Sequence, residues 1–192
     1  MSSSVSLREQ AAMVGAYRWV ELRLFEILGG WVADESSGEA RLFFDVHSQQ
    51  HAWHAQLFLD RLPLLDGVDR DVLTVAPSPT VERFVENVEK TDGSAARTAV
   101  LARCALPRLV TAYDLHLQRA SPVADAPLIR ALQLVVGDEA RALRKAEALY
   151  EAMIGSADVP DEATGRVGHV EEPLLGVGPG LGFWSSDQSL RA

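Results

Sequence analysis

Histidines at positions 47, 51 and 54 stand four and three residues apart, in a chain with five histidines in all. At about 100° per residue of α-helix, those offsets place the three rings within an arc of roughly 60°. Phe44 and Phe58 continue the same stripe on either side. Neutral imidazoles grouped on one face ligate transition metals, and imidazoles facing carboxylates share protons with them. His47 and His51, spaced at four, form a metal-gripping pair by themselves. The competing reading is packing, with one or two of the rings hydrogen-bonded at the edge of a buried face and another in water.

Two glutamates stand where the pattern asks for aliphatic residues. Tyr17, Leu24, Leu28 and Trp31 share one helical face, and Glu21 falls on it. Ile129, Leu132, Val136, Leu143, Ala146, Tyr150 and Met153 recur in a heptad-like series, and Glu139 takes the missing place. An unpaired buried carboxylate is costly, so each glutamate needs a cation, a hydrogen-bond partner or a proton. The histidine stripe, Arg18, Arg141 or a metal ion can meet that need. His116, three residues after Tyr113, adds a further imidazole, although packing explains that pair as well.

The elements that must position these groups are read from punctuation. Helix one spans about Val5 to Val32, and the Gly29-Gly30 pair marks its exit. Ser36 with Glu39 fits a capping box for helix two, which carries the histidines until Pro63 stops it. Prolines 63, 77 and 79 break the next stretch, a crossover holding one short helix from Thr80 to Glu89. Helix three spans about Ser94 to Ala120, with a kink expected at Pro107, and helix four opens at Asp125 with Pro127 in its first turn. Gly137, beside Glu139, leaves room for another backbone or a ligand. Residues 1–154 therefore read as one all-α bundle, and 155–192 as a Gly/Pro-rich tail without helical or strand period. Leu174, Leu175, Phe183 and Trp184 in that tail are anchors for docking on the bundle or on a partner protein.

Four helices, a long crossover between the second and third, and inward glutamates on the first and fourth: this arrangement resembles the ferritin-like superfamily. Its di-iron pattern places a glutamate on helices one and three and a Glu-x-x-His on helices two and four. Glu21, His51 and Glu139 match it. Ser48 and Ala142 stand where a glutamate and a histidine belong, and the second half of helix three offers Tyr113, Asp114 or His116 instead of a glutamate. The resemblance implies a ferritin-like four-helix bundle and a non-haem metal site, with iron or another divalent metal as cofactor. It implies oxidoreductase chemistry at Glu21, His51 and Glu139, with His47, His54 or His116 completing the shell. A metal-free bundle serving as a structural or interaction subunit is the alternative, and a small-molecule pocket among the same residues is a third.

Composition narrows the partners. The net charge of −9 leaves no basic stripe for nucleic acid or an anionic membrane surface. A homo-oligomer is compatible with this. Glycines 176, 178, 180 and 182 follow no strand and precede no helix, so no nucleotide cofactor is expected. Cys104 is the single cysteine, which excludes an intramolecular disulfide and reads as a buried spectator. No apolar run approaches a membrane span and no secretory leader is evident, so a cytoplasmic location is expected.

Overall fold

Ser6 opens the first helix with a reciprocal cap: its Oγ accepts from the Glu9 backbone N–H, and the Glu9 carboxylate accepts from the Ser6 N–H. The computed structural model describes residues 6–64, 69–156 and 160–182. Among the described residues every regular element is helical. Helix α1 spans Leu7–Asp34 and runs straight through Gly29 and Gly30. Helix α2 spans Gly38–Leu59, and its cap is Ser37, whose Oγ accepts from the Ala40 N–H. The cap thus lies one residue beyond the expected Ser36. Buried Glu35 explains the shift, because its carboxylate takes the Ser37 N–H at 2.8 Å and fixes the turn there.

The crossover is laid against α1. A 3-10 turn at Arg70–Leu73 passes so close that a Cβ on Gly15 would lie 1.9 Å from the Leu73 carbonyl oxygen. Arg18 donates to Asp71 at 3.0 Å and to Thr74, tying the same segment down. Arg18 is therefore engaged outside the core and does not neutralise Glu21. Helix α3, Pro79–Glu89, begins with Ser78 as cap and proline in its first turn, as the sequence predicts.

The third long rod is composite: α4, Ser94–Val100, a π-helical turn, Leu101–Ala105, and α5, Leu106–Arg119. The expected distortion at Pro107 takes the form of this wide turn, in which the Leu106 N–H bonds to the Leu101 carbonyl. Proline has no N–H to give the preceding turn, and one extra residue there relieves its ring clash. Helix α6 spans Ala126–Ser156 and buries Leu128, Ala131, Leu132, Val135, Glu139, Ala142, Ala146 and Tyr150. Gly137 makes no close approach, since a Cβ there would meet only Arg141 Nη1 at 3.6 Å.

Helices α1 and α2 pack side by side, and α6 packs against α2, α4 and α5. They enclose a core in which Tyr17, Leu28, Phe44, Phe58, Leu101, Leu109, Tyr113 and Leu132 are fully buried. Each such apolar side chain contributes about 1.5–3 kcal/mol. The stretch after residue 154, expected to lack regular structure, forms helix α7, Pro160–Glu171, and a 3-10 turn, Glu172–Leu174. Its period is present but diluted: Ala163, Val170 and Leu174 are buried and Val167 packs beside them, while Gly165 and Gly168 lower the helical propensity between. Arg108 on α5 holds the segment through Glu171 at 2.7 Å and the Gly180 carbonyl at 3.0 Å. Leu174 is an anchor as expected, Leu175 is exposed, and Phe183 and Trp184 lie outside the described residues. Among the described residues no helix is long and apolar enough to cross a membrane.

Candidate metal centre

Glu21 sits in the middle of α1, on the face that also buries Tyr17, Leu24 and Leu28, so its carboxylate has no route to water. His51 and His54 lie one turn apart on α2, and Glu139 points inward from α6. The four side chains converge. His51 Nδ1 lies 2.6 Å from Glu21 Oε2 and 3.3 Å from Glu139 Oε1. His54 Nδ1 lies 3.4 Å from Glu21 Oε2 and 3.1 Å from Glu139 Oε1. One ligand atom from each residue falls within 4.8 Å of the other three.

The electrostatics follow from burial and proximity. Burial alone would raise the Glu21 pKa, but His51 and His54 outweigh it and hold the carboxyl down at about 2. Burial alone would discharge the two imidazoles, and the facing glutamates reverse that. His51 is raised from its ordinary value by Glu139 and Glu21, and His54 is pushed up to about 11 by Glu21 and Glu139. Without a cation, each imidazole faces both carboxylates.

A divalent metal fits the same donors. Bonds of about 2.0–2.2 Å to oxygen and nitrogen place neighbouring ligand atoms roughly 2.8–3.6 Å apart around one ion, from octahedral to tetrahedral angles. Three of the four imidazole–carboxylate distances, 3.1, 3.3 and 3.4 Å, already lie in or near that range. Only the 2.6 Å contact between His51 and Glu21 must open. Glu139 Oε2 is buried with no hydrogen-bond partner, a free lone-pair donor in the core. A further signal is the outer face of His54. Its Nε2 lies 3.3 Å from Asp138 Oδ2, and a carboxylate taking that N–H leaves the Nδ1 lone pair aimed at the cluster. Two carboxylates also cancel the charge of a divalent ion when both imidazoles are neutral.

Of the six residues singled out by spacing, Glu21, His51, His54 and Glu139 meet. His47 does not join them: it faces Phe43 and bonds Gln50 at 2.8 Å, and burial pushes its pKa down to about 4. His47 lies between the other two in angle but about 6 Å before His51 along the α2 axis, one turn away from the site. His116 is also apart, on α5, with Nδ1 3.0 Å from the Tyr17 hydroxyl. Burial lowers its pKa to about 4 as well, so the ring is neutral at pH 7. Arg141 pairs with Asp138 rather than with Glu139. At two of the three positions where the ferritin-like pattern is interrupted, Ser48 donates to the Phe25 carbonyl at 2.9 Å and Ala142 is buried. Cys104 is buried, which raises its thiol to about 12, in keeping with an inert spectator.

One further participant was an alternative at the helix-three position, and another escaped the pattern. Tyr113 donates to Glu21 Oε1 at 2.5 Å and is fully buried, although spacing made it a packing residue. Asp138 went unnoticed because it borders the α6 stripe, and only its adjacency to Glu139 marks it. Family models, curated proteins and solved structures give no match to this chain.

Proposed function

We propose that this chain is a divergent ferritin-like metalloprotein, in which Glu21, His51, His54 and Glu139 hold one divalent metal ion, iron, for oxidoreductase chemistry. The observation that carries the reading is the convergence of four fully buried donors from three helices, with Glu139 Oε2 still unpartnered. Two oxygen and two nitrogen donors suit non-haem iron, manganese or zinc. Glu21 on α1, His51 on α2 and Glu139 on α6, with the α3 crossover after α2, support the ferritin-like reading. His54 supplies, one turn further along α2, a ligand that the family pattern takes from elsewhere. Bound iron would supply one-electron redox capacity and Lewis acidity. The protein's own contribution is to fix the donors, exclude water from them and orient His54 through Asp138.

A metal-free structural bundle is the second reading, and the 2.6 Å contact between His51 and Glu21 favours it, because the network largely satisfies itself. Elemental analysis of protein purified without chelators or a metal-affinity tag separates the two. The metalloprotein reading expects about one ion per chain, lost in His51→Ala. Absence of metal in the wild type, together with failure of iron, manganese and zinc to bind on addition, overturns it.

A further inference from the structure

Tyr113 belongs to the cluster by geometry. Its hydroxyl lies 2.5 Å from Glu21 Oε1, and the other oxygen of that carboxylate faces both His51 and His54. The ring cannot swing away: Tyr17 packs edge-on at 4.9 Å and Phe58 lies at 5.5 Å. An ion held by both oxygens of Glu21, at about 2.0–2.2 Å, has the phenol oxygen on Oε1 beside its coordination sphere.

We infer that Tyr113 is a fifth donor of this centre and that the centre thereby accommodates ferric iron as a phenolate complex. The inference rests on the metal reading above. Charge supports it: Glu21, Glu139 and one phenolate supply three negative charges, which match a trivalent ion in a site where unbalanced charge is costly. The hard oxygen donors favour the same ion. In the step, the Tyr113 O–H bond breaks and an oxygen–iron bond forms. The proton is displaced to solvent as the ion enters, and iron stays ferric, so no electron moves.

The test is to add ferric nitrilotriacetate to the metal-free full-length chain and record the visible spectrum. Zinc binding is measured in parallel by isothermal titration calorimetry. A phenolate-to-iron charge-transfer band is expected in the wild type, with tyrosinate modes in its resonance Raman spectrum. Tyr113→Phe should lose the band and still bind zinc, with affinity lowered by no more than about 10–100-fold, while Tyr17→Phe should keep the band. Iron bound without a band, or a band that persists in Tyr113→Phe, overturns the role of Tyr113 and leaves the metal reading standing. Failure of both iron and zinc to bind overturns both. Should Tyr113→Phe fold poorly, the wild-type Raman spectrum with the Tyr17→Phe control still decides, since Tyr17 and Tyr113 are the tyrosines nearest the cluster.

Discussion

Asp138 determines which nitrogen of His54 faces the cluster, by standing 3.3 Å from Nε2 on the far side of the ring. Removing such a partner typically lowers metal affinity 10–100-fold, roughly, without removing a ligand. Asp138→Ala should therefore keep its helical signal and bind zinc about 10–100-fold more weakly by competition with a chromophoric chelator. Protons and metal compete for the same atoms. Glu21, lowered from 4.5 to about 2, contributes stability to the metal-free protein that is present above pH 4.5 and lost as pH falls through 2. His54, raised from 6.5 to about 11, contributes stability present below pH 6.5 and lost as pH rises through 11, and His51 shifts in the same direction. The melting temperature of the metal-free protein should thus fall as pH climbs from 6.5 towards 11, while metal affinity rises as the imidazole protons become easier to displace. Two trends of the same sign in calorimetry at stepped pH would contradict the competition.

Gly15 is the element-scale counterpart, because α1 can receive the crossover only where it carries no side chain. With the Leu73 carbonyl oxygen 1.9 Å from the position of a Cβ, Gly15→Ala must push the 70–73 turn outward. A loss of about 1–3 kcal/mol is expected, read by urea denaturation, with the far-ultraviolet spectrum unchanged. The starts of α3 and α6 were legible because caps and prolines are local signals: Ser78 with Pro79, and Pro127 one residue into α6, need no tertiary context, whereas α1 runs on past Gly29-Gly30 and α2 ends at Leu59, before Pro63. Glu21 and Glu139 were legible because a carboxylate in an apolar stripe contradicts its surroundings. Other features depend on contacts distant in sequence. The Ser37 cap follows from buried Glu35, whose carboxylate also takes the Ser94 hydroxyl, and the π turn before Pro107 depends on how α5 seats in the core. His47 and His51 are equivalent in spacing, and only the place where α1 and α6 cross α2 decides which turn of the stripe faces the site.

For the whole molecule, the segment after α6 decides whether the bundle is complete. Val170, Leu174 and Leu181 share the main core with Val14, Tyr17 and Tyr113. Leu174→Ala should therefore cost about 2–5 kcal/mol by chemical denaturation, and removal of residues 160–192 should lower the melting temperature substantially. A truncated protein melting like the full chain would show that this contact adds nothing to stability. The sequence understated the segment because its glycines mask the stripe, and because nothing local records that Arg108, over 60 residues earlier, reaches Glu171. Gly180 backs directly onto Ala112, where a Cβ would meet the α5 backbone at 2.9 Å, one residue before Tyr113. Synthesis runs from the N-terminus, so the brace behind α5 leaves the ribosome after every residue of the cluster has been made. Until residues 170–182 emerge, the nascent chain holds all of the donors but lacks the packing that fixes one of their four walls.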